Sequence, residues 1–390
     1  MNSKTTWWLV GLAVVFFVFI IFFERHRQLG EPARSAKILP DFSAAAVSAV
    51  QVRRGNQFPV RAERTNDAWM LTAPLAYPGQ TAAIEGLLKR LQNLGPQTRI
   101  SAEELSARKQ TAADFGLAEP SAVVMLQQGR DRKDIQFGSK TPAGDQIYLQ
   151  LVGATAIYVV GADLFDRLPR TPNDWRDTNL LNLSGLKYDR LEARPAARGL
   201  TIRYEATNQN YYLHRFGQTA RADMTRLNDL FFKIQTTYVT QFVTDDPKAD
   251  LELYGLQPPE LELAVAQGTN DIAVVQFGKS SANEAGQVYA RHLSHSNIVL
   301  VSTQLVSALR ASFNDLRDRR LLAFAPETVE SIDVRGQEIF ALQRQTNGSF
   351  TLIGPQTLTA DPADARQWLV HLSQLEVTDF VKDGVTDFSA

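Results

Sequence analysis

Hydrophobic positions along this chain recur in three rhythms, each predicting a different element. The first is helical. Apolar residues at i, i+3, i+7 and i+10 occur at Ile84, Leu87, Leu91 and Leu94, again at Met224, Leu227, Phe231 and Ile234, and a third time at Ala365, Trp368, Leu372 and Leu375. Such spacing keeps one stripe of a helix apolar, and predicts three amphipathic helices of about four turns. The second rhythm alternates. Segments 50–54, 58–64 and 68–72 are separated by Gly55, Asn56, Asn66 and Asp67, the pattern of a β-meander. Further strands are predicted at 122–127, 134–137, 146–151 and 157–160, then a second, shorter helix at 162–168; the same order returns at 261–266, 273–277, 288–292 and 298–301 with a helix near 303–309. The third rhythm is unbroken. Residues 7–23 (WWLVGLAVVFFVFIIFF), bounded by Trp7 and Phe23, hold no charge and are followed at once by Glu24, Arg25, His26 and Arg27.

At 1.5 Å per residue the unbroken run reaches about 25 Å, the short end of a membrane-spanning helix. Charged residues stand where a signal peptidase needs small ones, so an uncleaved anchor inserted in the lipid bilayer from Trp7 to Phe23 is expected. Its orientation stays open. Lys4 lies on one side and Arg25, Arg27, Arg34 and Lys37 on the other, yet long domains translocate largely regardless of such charges; the soluble part is expected on the extracytoplasmic side. Residues 25–46, rich in charge, Pro and small side chains, read as a stalk.

Internal repetition is the most informative feature. An offset of about 140 residues brings Phe115-Gly116-Leu117 onto Tyr254-Gly255-Leu256, Gln136-Phe137-Gly138 onto Gln276-Phe277-Gly278, Tyr148 onto Tyr289, and Trp175-Arg176-Asp177 onto Leu316-Arg317-Asp318. Each copy then closes on a Leu pair expected to be buried, Leu180-Leu181 and Leu321-Leu322. A third copy opens after Phe324, with Ile332 in the place of Leu191 and Val50, and reaches Phe380-Val381-Lys382-Asp383, the counterpart of Phe242-Val243-Thr244-Asp245. The expected division is an anchor at 1–24, a stalk at 25–46, repeat units at 47–183 and 184–323, and a partial third unit at 324–390. Either the sequence is cut short there or a half unit serves as a cap; truncation is the expectation. Each unit reads as α+β, a mainly antiparallel sheet with two helices, and lacks the strand and helix alternation of a doubly wound nucleotide-binding fold.

Composition narrows the chemistry. With 41 Lys+Arg against 42 Asp+Glu among 390 residues, no basic face for nucleic acid is expected. No cysteine is present, which removes disulfides, thiolate nucleophiles and Cys-ligated metals together. Gly278-Lys279-Ser280 imitates the tail of a phosphate loop, but Ala273 stands where the first glycine belongs, so a strand-ending turn is expected. Asp245, Asp246, Asp250 and Glu252 form an acidic cluster interrupted by Pro247, Lys248 and Ala249, without the central glycine of a calcium loop. His292 and His295 have no acidic neighbour to complete a zinc site, and His371 sits among helix positions facing water. No catalytic residue, metal or cofactor is therefore expected. The recurring positions remain as structural or partner-binding candidates: Trp175, Arg176, Asp177, Leu316, Arg317 and Asp318 as a hinge between units, and Phe115, Gly116, Tyr254 and Gly255 as a glycine turn with a packed aromatic.

The order Trp69-x-Leu-x-x-Pro74, a Leu-rich helix, Phe-Gly-Leu or Tyr-Gly-Leu before Pro, Phe-Gly then Tyr, and Arg-Asp before a Leu pair resembles the family called domain of unknown function 4340, from about residue 47 onward. Copy two departs from it at Tyr211, where copy one has Trp69, and lacks the proline. The resemblance implies a bacterial protein of the inner membrane held by one N-terminal helix and associated with ABC-type transport systems similar to gliding-motility exporters. It brings no active-site residues. The expectation is a non-catalytic envelope scaffold, an auxiliary subunit binding ABC-type transporter subunits. A binding protein for a small ligand or glycan, and an envelope hydrolase using paired carboxylates such as Asp245 and Asp250, stand as alternatives.

Overall fold

The computed structural model describes residues 37–66, 68–195, 199–205, 209–381 and 383. The anchor from Trp7 to Phe23 and most of the stalk lie outside them. Among the described residues no helix is long and apolar enough to cross a membrane.

The alternating segments form sheets as predicted. Strands β1 (Val47–Arg54), β2 (Val60–Thr65), β3 (Ala68–Ala73) and β4 (Tyr77–Pro78) make a meander, and helix α1 (Thr81–Gln92) follows. After β5 (Thr98–Ile100) and the short α2 (Ala102–Ala107) come β6 (Ala122–Gln128), β7 (Asp131–Lys140), β8 (Gln146–Leu151), β9 (Ile157–Gly161) and one turn of helix, α3 (Asp163–Asp166). They assemble into one sheet in the order β4-β3-β2-β1-β6-β7-β8-β9-β5, antiparallel throughout. Its middle is the β1·β6 seam. There Val50 faces Leu126 and Val52 faces Val124, all four fully buried, because the period-two pattern of both strands turns these side chains to the same face.

The second repeat has the same plan: β10 (Arg190–Pro195), β11 (Leu200–Glu205), β12 (Asn210–Arg215), β13 (Gln218–Arg221), α4 (Met224–Gln235), β14 (Val239–Thr244), β15 (Leu261–Gln267), β16 (Asn270–Ser280), β17 (Gln287–His292), β18 (Ile298–Ser302), α5 (Thr303–Leu309) and α6 (Phe313–Leu316). Its strand order, β13-β12-β11-β10-β15-β16-β17-β18-β14, repeats the first position by position. A third meander, β19 (Ser331–Arg335), β20 (Ile339–Arg344), β21 (Phe350–Ile353) and β22 (Thr357–Ala360), with helix α7 (Pro362–Ser373), makes a four-stranded sheet. The chain divides between Thr178 and Asn179 into two compact units, the first holding repeat one and the second holding repeat two with the third meander.

Helix positions differ from the sequence reading in phase. In α1 the buried stripe is Ile84, Leu87, Leu88 and Leu91, and in α4 it is Leu227, Leu230 and Ile234. In α1 Leu88 joins the stripe and Leu94 falls beyond the helix end, whereas in α4 Met224 is exposed, Leu230 takes a place on the stripe and Ile234 keeps its own. Among the described residues each complete repeat carries three α-helical pieces instead of two, since the stretch after Pro96 hides α2 and Ser312 starts the extra turn α6. The expected helix at 162–168 shrinks to one turn. The largest correction concerns the Leu pairs. Leu180 and Leu181 join the core of repeat two, whereas Leu321 and Leu322 are 61% and 46% exposed, because the third meander has no counterpart of β15 to β18 among the described residues to close over them.

Candidate functional site

The Arg-Asp segments are straps that close each repeat on itself. In repeat one, Thr171 and Asp174 cap a tight turn at Pro172–Trp175, which delivers the Trp175 ring into the core at 2% exposure. The chain then runs beside β4. The Gln80 amide donates to the Trp175 carbonyl at 2.7 Å and the Asp177 amide to the Pro78 carbonyl at 2.8 Å, with Arg176 bridged to Gly79. The buried Arg176 guanidinium lies 5.2 Å from the Tyr77 ring centre, within cation–π range. The strap therefore adds to the free edge of the meander where α1 begins.

Repeat two builds the same strap from different side chains. Ser312 and Asp315 form the capping box, Leu316 is buried, the Asp223 amide donates to the Leu316 carbonyl at 2.8 Å, and the Asp318 amide donates to the Arg221 carbonyl at 2.9 Å, with Arg317 bridged to Ala222. Here the Asp318 carboxylate, 5% exposed, accepts from Arg221 at 2.7 Å and from Arg320 at 2.8 Å. Burial raises the pKa of Asp318, but hydrogen bonds from Arg320 and the two guanidinium charges outweigh it and hold the carboxyl below its ordinary value. Arg317 reaches onward into the third meander's trailing segment, its guanidinium 3.9 Å over the Phe380 ring and 2.7 Å from Asp383. The next residues pair with the end of α7: the Leu321 amide donates to the Leu375 carbonyl, and the Val377 amide to the Arg319 carbonyl. Leu180, the counterpart of Leu321, likewise donates to the Thr237 carbonyl past the end of α4. The segment thus hands one repeat to the next.

The second pair of candidates is a backbone lock. Gly116 and Gly255 have φ of +71° and +67°, the left-handed region that glycine tolerates, and each ends a short turn carrying the aromatic just before it. Phe115 meets Tyr148 edge-on at 4.8 Å, and Tyr254 meets Tyr289 edge-on at 5.0 Å. Opposite them stand Gly138 and Gly278, which the alignment pairs but whose role the sequence reading missed. A Cβ at Gly138 would lie 2.1 Å from the Phe115 carbonyl oxygen, and one at Gly278 2.1 Å from that of Tyr254. Four glycines in two matched pairs let an irregular segment press its backbone against a strand. The Gly278-Lys279-Ser280 tripeptide is spent here: it ends β16, where the register with β17 slips between Phe277 and Ser280.

The remaining polar groups have local duties. Asp246 accepts from the Lys248 amide and Asp250 from the Glu252 amide; Asp245, Asp246 and Asp250 all lie exposed on one loop, not in an enclosed cleft. Among the described residues no three His, Cys, Asp or Glu side chains are grouped as a metal site requires. His292 and His295 stack at 5.0 Å; burial, with the neighbouring His295 ring, lowers His292 to about 4, and burial lowers His295 as well. The shift favours the neutral form of each ring. An open groove in repeat two passes Arg194, His214, Phe216 and Thr219, but Arg194 is already held by Glu192 and Asp271, and His214 by Thr219.

No curated protein matches the chain. The family model Domain of unknown function (DUF4340) matches it twice, over residues 69–230 and 217–390. Both matches begin inside a meander and run through the strap into the next repeat, so the family's unit is cut across the structural repeat and includes the handover. With the two matches together spanning residues 69 to 390, this chain belongs to the DUF4340 family.

Proposed function

We propose that this protein is a non-catalytic, single-pass scaffold of the bacterial inner membrane, with its repeats on the extracytoplasmic side, acting as an auxiliary subunit of an ABC-type transport system. The observation that carries this reading is the use made of the recurring residues. Trp175, Leu316, Asp318, Gly116, Gly255 and their partners close modules and join them, and modules joined in series present extended surfaces for another protein. The uncharged run from Trp7 to Phe23 supports membrane attachment, and the kinship implied by the family supports the transporter partner.

Mild detergent extraction of tagged full-length protein from bacterial membranes, with mass spectrometry of what copurifies, tests the proposal. Stoichiometric recovery of an ABC permease or ATPase subunit is the expected result. Recovery of the chain without such a subunit, under conditions that keep known membrane complexes intact, overturns it.

A further inference from the structure

The hairpin between β17 and β18 carries two histidines that the duplicated fold does not require. Repeat one supplies the control. Its β8–β9 hairpin reads Leu151-Val152-Gly153-Ala154-Thr155-Ala156, and at the same length repeat two has His292-Leu293-Ser294-His295-Ser296-Asn297. The backbone contacts match. The Ala154 amide donates to the Leu151 carbonyl and the His295 amide to the His292 carbonyl, both at 3.0 Å, while the Val152 amide donates to the Asp134 carbonyl and the Leu293 amide to that of Val274, both at 2.9 Å. The order of buried, half-buried and exposed positions is also the same in the two hairpins. Leu, Gly and Ala therefore suffice to build this connection, and folding does not account for the two imidazoles.

The three side chains of the turn converge. Ser294 Oγ lies 2.7 Å from His292 Nδ1 and 3.2 Å from His295 Nδ1. The Ser294 amide donates to His292 Nδ1 at 3.2 Å, so that nitrogen presents its lone pair to the turn. The ring centres are 5.0 Å apart. Two imidazoles on one ion, with metal–nitrogen bonds of about 2.0–2.1 Å and angles of about 90–110°, have centres about 4.5–5.2 Å apart. The ring planes lie at 27° to each other, so loading an ion requires each ring to turn about χ2, a torsion with broad minima. Burial lowers the pKa of both rings, which weakens the proton as a competitor at neutral pH.

We propose that this turn is an exchangeable site for one divalent first-row transition metal, held by His292 Nδ1 and His295 Nδ1 with Ser294 Oγ and water completing the coordination. The sequence pattern argued against a zinc site because no acidic residue completes the set, and that absence sets the character of the site. Two imidazoles are fewer than the three or four protein ligands of a resident catalytic or structural ion, so the remaining positions stay open to water and the ion exchanges. Neutral imidazole suits copper, nickel and zinc, and Cu(II) binds tightest in that series.

The test uses full-length protein, purified in detergent through a histidine-free tag and stripped with chelator. Calorimetric titration with Cu(II), Ni(II) and Zn(II) is expected to show one saturable equivalent that depends on both histidines, tightest for Cu(II). His292→Gln and His295→Gln are each expected to weaken it at least about tenfold, and His371→Gln, on α7, to leave it unchanged. Electron paramagnetic resonance of the Cu(II) form is expected to show two imidazole nitrogens at this site in the parent and one in either variant. Thermal unfolding without metal checks that each variant is folded, and added Cu(II) is expected to raise the midpoint of the parent above that of the variants. No saturable binding, full binding retained in the His292→Gln/His295→Gln double variant, or dependence on one histidine alone would each overturn the proposal.

Discussion

At the residue scale the glycines divide into those that hold a close approach and those that merely sit in the chain, and substitution separates them by sign. Gly138→Ala and Gly278→Ala each drive a methyl into a backbone carbonyl at 2.1 Å, and neither the turn at Phe115 or Tyr254 nor the strand can yield without losing its pairing. Each is expected to cost about 3 kcal/mol, at the upper end of overpacking penalties, read as a lowered urea midpoint with unchanged slope. Gly86 is the counterexample. It lies within α1 with nothing inside 4 Å of its missing Cβ, so Gly86→Ala is expected to stabilise by about 0.5–1 kcal/mol through the helix propensity it restores. The two outcomes use the same substitution, so a general tolerance or intolerance of alanine cannot imitate them.

At the scale of the element, the strap of repeat two concentrates its charge on one carboxylate. Asp318→Asn leaves Arg221 and Arg320 without their anion and is expected to cost about 2 kcal/mol, the range for hydrogen bonds to charged groups. Glu260→Gln breaks the Arg310 pair, which is about half exposed on both sides, and is expected to change stability by less than about 0.5 kcal/mol. Thermal unfolding of the two variants side by side tests the contrast. Acid separates another element, the end of β17. His292 has its pKa lowered to about 4 in the fold against about 6.5 in the unfolded chain. Between those values the unfolded state binds the extra proton, so stability is full above about pH 6.5 and declines as pH falls toward 4. His292→Gln is expected to flatten that decline, while the Asp318 contribution, from a carboxyl held low, persists until below about pH 4. Much of this scale could be read from the chain beforehand. The three amphipathic segments, the meanders and the repeat register came from periodicity and from matched tripeptides such as Phe115-Gly116-Leu117 and Tyr254-Gly255-Leu256. What periodicity could not give were facts created by tertiary contact: that Gly138 faces the Phe115 carbonyl from a strand far along the chain, that Asp318 turns back to Arg221, and that the strap of Arg176 pairs with Gly79. These contacts leave no local pattern, although the recurrence of both halves of each pair at the same offset was a signal that they meet.

For the molecule as a whole, duplication predicts where the fold is weakest, because equivalent residues can be compared in different surroundings. Val50, Leu191 and Ile332 occupy one position in three meanders, yet the first two are sealed under a nine-stranded sheet and the third is only half covered. The Leu pairs tell the same story, with Leu180 and Leu181 buried and Leu321 and Leu322 exposed. Around Leu342, Phe350, Ala365 and Leu369 the third meander has a small core, whereas the core of repeat two extends through both halves of its sheet. Each apolar side chain left out of a core forgoes about 1.5–3 kcal/mol of burial, so local opening of the third meander should require several kcal/mol less than opening of its counterpart in repeat two. Native-state hydrogen exchange on the full-length protein at low concentration measures this directly. Amides of β20 and β21 are expected to exchange at least about a hundredfold faster than those of β11 and β12, the difference corresponding to about 3 kcal/mol. Equal protection in the two meanders would mean that the third is covered by chain or partner beyond the described residues.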